Sequence, residues 1–272
     1  MCAICATYGN LNAVDGVSFE VRAGELFGIL GPNGAGKTTT LEIIEGLRAS
    51  DAGEVTLLDE SPWPRNPKLL PRIGVQLQAS AFFDRLTARE QIHTFGSLYG
   101  VSGSVGDEWL ERVGLTDKAD TRSNKLSGGQ LQRLSIACAL VHEPEIVFLD
   151  EPTAALDPQA RRNLWDLLGT LNEDGRTVVL TTHYMDEAEA LCDRVAIMDH
   201  GRILQLDTPA ALIAGLAAPT RITTADGETV ETTDPAEVLT RLAAERRLDG
   251  VSVRTATLED VFLHLTGREY RA

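Results

Sequence analysis

Eight consecutive residues, Gly31, Pro32, Asn33, Gly34, Ala35, Gly36, Lys37 and Thr38, fit the pattern G-x-x-x-x-G-K-[ST], and Thr39 follows directly. Glycines let successive backbone N–H groups converge on phosphate oxygens, while a helix opening at the lysine aims its positive end at the same point. Lys37 is placed to reach the β- and γ-phosphates. The Thr38 hydroxyl is expected to ligate Mg²⁺, and Asp150, which closes the apolar run Ile146–Leu149, is the expected acidic partner that holds the metal's water shell. A glycine-rich turn with no ligand is the plainer alternative, but the stretch lies between an apolar strand pattern and a helical one, where the phosphate mechanism requires it.

A second group of residues has both a bland and a chemical reading. Ser127-Gly128-Gly129-Gln130 precedes an apolar helical pattern and forms a capping box of the S-x-x-Q type. A helix start bearing a serine and two glycines also offers donors to an anion. Asp157 before Pro158 is a plain helix start as well as a candidate contact. Glu151 follows Asp150 directly, and His183 ends an apolar strand pattern before the acidic stretch Met185-Asp186-Glu187.

Leu126 to Gln130, the phosphate loop and the Asp150-Glu151 pair together resemble the ABC transporter nucleotide-binding subunits, and the resemblance runs over nearly the whole chain. It is closer to the branch that partners ABC-2 type exporters, whose ends the tail Thr257–Arg268 is similar to. The resemblance implies ATP and Mg²⁺ as ligands, Glu151 as the general base, and Gln78 as a glutamine that touches the metal or water, with Gln76 the second candidate. It implies His183 as a contact to the γ-phosphate, Tyr8 as an aromatic against adenine, and Asp157 as part of a loop facing a dimer. It also implies that Ser127, Gly128, Gly129 and Gln130 contact nucleotide held by a second copy of the chain or a homologous subunit. Phe82 and Phe83, in the segment leading into the helical insert, are candidates either for contact with a membrane partner or for ordinary packing.

Short apolar runs bounded by turn residues recur at Val17–Val21, 25–30, Glu54–Leu58, Arg72–Gln78, Glu145–Leu149, Thr177–Thr181 and Arg194–Asp199, with helical patterns between them. They predict an α/β fold with buried parallel strands. The expected fold class is a P-loop NTPase core of ABC ATPase type with an inserted helical subdomain and a small α+β C-terminal appendage. The expected division is an ATPase domain over 1–206, with the insert at about 86–142, and an accessory region over 207–272.

Forty acidic against 25 basic residues give a formal charge of −15, which disfavours non-specific binding to nucleic acid. No window approaches the roughly 20 apolar residues that cross a bilayer, and Met1 to Asn10 lacks the pattern of a secretory signal. The expected place is the cytoplasmic face of the membrane, beside ABC-2 type transmembrane subunits on a separate chain. The competing readings are an importer subunit and a soluble ABC ATPase acting on ribosomes or DNA. Cys2 and Cys5 form a lone C-x-x-C without a second ligand pair nearby, for which packing or disorder is expected before metal binding.

Overall fold

The computed structural model describes residues 2–9, 11–76, 82–154 and 156–267. The chain divides into two compact units, Met1–Leu206 and Asp207–Ala272.

In the first unit, β1 (Cys2–Tyr8), β2 (Leu11–Val17) and β4 (Ala52–Glu54) make a small antiparallel sheet in the order β2-β1-β4. The main sheet runs β5-β6-β7-β3-β8-β9, built from β3 (Leu26–Leu30), β5 (Ile73–Gln76), β6 (Ile146–Asp150), β7 (Thr177–Thr182), β8 (Arg194–Asp199) and β9 (Arg202–Asp207). Strands β3, β5, β6, β7 and β8 are mutually parallel. Every residue of β3, β6 and β7 is buried, as expected for strands covered on both faces, which explains why they read as unbroken apolar runs. Ile29, Leu41, Phe148, Val179 and Met198 belong to one core that joins the sheet to α1 (Lys37–Ile44).

Helices α2 (Ala88–Ser97), α3 (Gly103–Arg112) and α4 (Gly128–Leu140) pack on one another around fully buried Trp109 and Ile92. Helices α5 (Pro158–Glu173) and α6 (Met185–Leu191) follow β6 and β7. The sequence pattern differs from the structure at Val17–Val21, where residues 18–21 are irregular. Phe19 there stacks on Phe27 at 5.0 Å, so an alternating apolar pattern serves packing without joining a ladder. At the C-x-x-C, Cys5 is a free thiol in β1 that accepts a hydrogen bond from the Gly16 N–H.

The second unit contains α7 (Pro209–Gly215), the antiparallel strands β10 (Thr220–Thr223), β11 (Thr229–Thr232) and β12 (Ser252–Arg254), α8 (Pro235–Ala244) and α9 (Leu258–Thr266). Its core is small, with Ile222, Val238 and Leu242 at its centre. Among the described residues, no helix of either unit is long and apolar enough to cross a membrane.

Candidate functional site

The phosphate loop connects the C-terminal end of β3 to the first turn of α1, the strand end at which open parallel sheets place their ligands. Two of its glycines are forced by close backbone approach. A Cβ on Gly31 would lie 2.2 Å from the Met198 carbonyl oxygen, and one on Gly36, where φ is +100°, would lie 2.1 Å from the Ala13 carbonyl oxygen. The loop thus has to be glycine-rich to thread between β2 and β8 and still open a helix.

Lys37 is only 4% exposed, and its Nζ donates to the carbonyl oxygens of Gly31 at 2.8 Å and Pro32 at 3.2 Å, which curls the side chain back over the loop. The same Nζ lies 3.2 Å from Glu151 Oε1, and His183 Nδ1 lies 3.2 Å from Glu151 Oε2. Lys37 and His183, far apart in the chain, therefore share one carboxylate, because β6 and β7 deliver Glu151 and His183 beside the end of β3. Glu151 has φ of +48°, a conformation that costs a non-glycine residue on the order of 1–3 kcal/mol. Its backbone N–H donates to Thr181 Oγ1 at 3.0 Å, which helps fix that turn.

Asp150 is 3% exposed and accepts from Thr38 Oγ1 at 3.0 and 3.3 Å and from Thr181 Oγ1. Among the described residues no cation pairs with it. A buried carboxylate answered only by hydroxyls is the environment that a divalent cation completes, and the donors are the hard oxygens that Mg²⁺ prefers. The residues present therefore fit Mg²⁺.

Tyr8, Asn33, Lys37, Thr38, Glu151 and His200 are among the residues around an open cleft of about 420 Å³. Tyr8 is half-exposed there, with the Arg48 guanidinium stacked on its ring at 3.8 Å from the centroid. His200, 70% exposed, is solvated at the cleft's rim.

Ser127 and Gly128 are exposed at the start of α4, and the capping box forms: Ser127 N–H donates to Gln130 Oε1 at 2.9 Å, and Gln130 N–H to Ser127 Oγ at 3.3 Å. Gly129 and Gln130 are half-buried, and none of the four residues lines the phosphate-loop cleft. Asp157 is exposed and caps α5, accepting from the N–H groups of Gln159 and Ala160 at 3.0 and 2.9 Å. Gln78 lies outside the described residues, whereas Gln76 is buried at the end of β5. Phe82 turns inward, edge-on to Phe95, and Phe83 is 60% exposed, so the adjacent rings divide between packing and surface.

Sequence reasoning missed Thr181, which orients both Asp150 and the Glu151 backbone. Two threonines closing an otherwise apolar strand just before His183 were the available signal. It also missed Arg48 behind Tyr8, for which the sequence carries no signal, since the contact is made by an antiparallel strand and a post-helix turn meeting in space.

A glycine-rich loop between a buried parallel strand and a helix, with a hydroxyl–carboxylate pair and a second acid beside its lysine, defines a P-loop nucleotide-binding protein. Residues 14–154 match the ABC transporter family model. The chain belongs to the ABC transporter family. It is 41% identical to the Nod factor export ATP-binding protein I of Paraburkholderia xenovorans, over 97% of this chain and 95% of that one. It is 40% identical to the linearmycin resistance ATP-binding protein LnrL of Bacillus subtilis, over 79% and 70% of the two chains. Among solved structures it is similar to the ATP-binding cassette MJ0796 in a dimeric post-hydrolysis state bound to ADP and Pi, with TM-score 0.70, 30% identity and coverage of 76% of this chain and 96% of that one.

Proposed function

We propose that this chain is the ATP-hydrolysing subunit of an exporter, acting as a dimer on the cytoplasmic face of the membrane against separate ABC-2 type transmembrane subunits. Its membership of the family and its similarity to export ATP-binding proteins support ATPase activity in the service of export. The observation that carries the chemical reading is the sharing of one buried carboxylate, Glu151, between Lys37 and His183 at the mouth of the phosphate loop.

In this reading ATP lies in the cleft, with adenine against the free face of Tyr8 and the phosphates in the loop Gly31–Gly36. Backbone N–H groups and the start of α1 supply positive potential without reorganising. A triphosphate carries more negative charge than one carboxylate, so it draws the Lys37 ammonium toward its β- and γ-oxygens. Thr38 and Asp150 would hold Mg²⁺, joined by Gln78, and the ion would neutralise charge on the β- and γ-phosphates. Glu151 Oε1, no longer matched by Lys37, accepts a proton from the attacking water as the water oxygen bonds to the γ-phosphorus and the bond to ADP breaks. His183 keeps the other carboxylate oxygen in place and faces the γ-phosphate.

Ser127 to Gln130 are exposed and outside the chain's own cleft, which supports a role on nucleotide bound by a second subunit, with Asp157 at the same interface. Hydrolysis removes the phosphate that both subunits hold, so closure and opening of the dimer follow the chemistry. Nothing among the described residues resembles a binding site for cargo, and the membrane subunits select it.

The test is to purify the tagged chain from gently solubilised membranes of its native host and identify what accompanies it by mass spectrometry. The expected companion is a multi-span membrane protein. Ribosomal proteins or nucleic acid in its place would overturn the exporter reading while leaving the ATPase intact.

A further inference from the structure

Glu187, in the first turn of α6, is fully buried. Its Oε1 accepts from the Trp165 indole N–H of α5 at 3.1 Å. Its Oε2 is buried without a hydrogen bond of ordinary geometry among the described residues, and so is the hydroxyl of Thr153, a residue 1% exposed. The two groups are neighbours. Burial pushes the Glu187 carboxyl above its ordinary value, while the hydroxyls of Thr182 and Thr153, the Trp165 indole and the Arg161 charge oppose that rise. A buried carboxylate and a buried hydroxyl with bonding capacity unspent cost free energy that apolar side chains in the same places would not.

The two threonines flank the residues assigned to the chemistry. Thr182 immediately precedes His183, and Thr153 follows Glu151 with only Pro152 between them. The histidine's side is already fixed. Thr182 Oγ1 accepts from the Tyr184 N–H at 2.9 Å, and the Tyr184 ring packs on the His183 ring at 4.1 Å between centroids and takes the Arg161 guanidinium at 4.2 Å. The acid's side is less so. Glu151 holds φ of +48°, and the turn after it is closed by an Ala154 N–H that reaches the Glu151 carbonyl oxygen at 3.3 Å, long for such a bond. Pro152, with its locked φ, makes the link from Thr153 to Glu151 stiff, so whatever holds the threonine also holds the acid. Neither Glu187 nor Thr153 lines the phosphate-loop cleft, so any effect they have on ATP passes through other residues.

We infer that Glu187 is a positioning residue for ATP hydrolysis: a hydrogen bond from the Thr153 hydroxyl to Glu187 Oε2, not made in this structure, forms during turnover and ties the turn of Glu151 to the turn of His183. Water has no access to either atom, so the bond meets no competition once it forms. Trp165 keeps the carboxylate aimed by occupying its other oxygen. The inference rests on the roles proposed above for Glu151 and His183 and adds to them the contact that holds the pair in register.

The experiment measures kcat, ATP affinity and melting temperature for the purified full chain as wild type, Thr153→Val, Glu187→Leu, Glu187→Gln, the double variant Thr153→Val with Glu187→Leu, and Glu151→Gln. Thr153→Val is expected to lower kcat about tenfold, the size of one buried hydrogen bond to a charged group, and to leave ATP affinity unchanged. Its melting temperature should hold or rise, because the substitution removes a hydroxyl that has no bond in this structure. A merely structural role for Thr153 cannot give slower turnover in a chain that is no less stable. Glu187→Leu should be slowed to a similar degree, and the double variant no further than the slower single one, since both remove the same contact. Glu187→Gln keeps the shape, can accept from Trp165 and can donate to Thr153, and should recover most of the rate. Wild-type kcat in Thr153→Val overturns the inference even if Glu187→Leu fails to fold. Losses that multiply in the double variant, or a Glu187→Gln as slow as Glu187→Leu, also overturn it. Wild-type turnover in Glu151→Gln removes the proposed base and the inference together, whereas a slow Glu151→Gln beside a fast Thr153→Val removes the inference alone.

Discussion

Lys37, Asp150 and Glu151 are each less than a tenth exposed and reach one another's surroundings across the ends of β3, β6 and β7, whereas Ser127 and Gly128 stand in solvent with their hydrogen bonds spent on their own helix. The first region is wired in advance by one chain: the lysine is folded back onto carbonyls, the acid is held by a lysine and a histidine, and the metal-type carboxylate is held by two hydroxyls. The second is stable without any ligand, since a capping box satisfies helix ends by itself. In the composite site proposed above, the contrast divides the work: the charged groups are buried where the sheet can position them, and the groups assigned to another subunit's nucleotide are exposed, on a helix start that does not depend on being occupied.

The largest effect is expected where the wired region does chemistry. Glu151→Gln should lower phosphate release by roughly 10²–10⁴-fold, the range for losing a positioned base, while ATP still binds and traps a dimer visible by size exclusion. Turnover at the wild-type rate in this variant would remove Glu151 as the base and with it the division between the two regions.

Ser127→Asp sharpens the contrast further. Aspartate caps a helix about as well as serine, so the melting temperature should hold, yet a negative charge would now face the phosphate of the opposing subunit. Hydrolysis and ATP-dependent dimerisation should fall by roughly 10²-fold, the size of losing one oriented donor, with nucleotide affinity of the single chain unchanged. A loss of single-chain affinity equal to that of Lys37→Ala would show that the signature turn acts within its own chain.

Glu45 tests whether burial of charge is confined to the catalytic corner. Burial, with the charges of Asp150 and Glu42, pushes its carboxyl up to about 8 in the folded chain from an ordinary value of 4.5. Between those values the folded state binds more protons than the unfolded one, so this group lowers stability progressively as pH rises from 4.5 to 8. Glu45→Gln should therefore stabilise the isolated chain by about 2–4 kcal/mol at pH 8 and by little at pH 5, read from denaturant melts at both values. An equal effect at the two pH values would place the carboxyl in water.

The smallest effect belongs to Tyr8. Removing the ring with Tyr8→Ala should weaken ATP binding by about 1–3 kcal/mol, the range for stacking of a base on an aromatic, with little change in the rate at saturating ATP. A larger loss of rate than of affinity would mean that the Arg48–Tyr8 stack supports the phosphate loop.

Much of this protein was legible before folding because its chemistry is local. The phosphate loop needs a fixed glycine spacing, the strand of Asp150 must be apolar to lie between two layers, and the turn at Ser127 needs its glutamine three residues on. Those constraints act over a few residues and leave their mark on the sequence. The strand at Val17–Val21 was misread because Val17, Phe19 and Val21 alternate as a strand does, and only the stacking of Phe19 on Phe27 shows what the alternation serves.

What the sequence by itself determined is the set of reactive groups and the strand or helix end on which each one stands. Only the tertiary structure decided which of them meet. It brought Lys37 and His183 to the Glu151 carboxylate, set Thr181 under Asp150, placed Arg48 behind Tyr8 and left the buried Glu45 carboxylate without a hydrogen-bond partner among the described residues. The physical reason is that hydrogen bonds and ion pairs between distant residues depend on strand order and register, and in a parallel sheet whose order departs from chain order, sequence spacing does not reveal them.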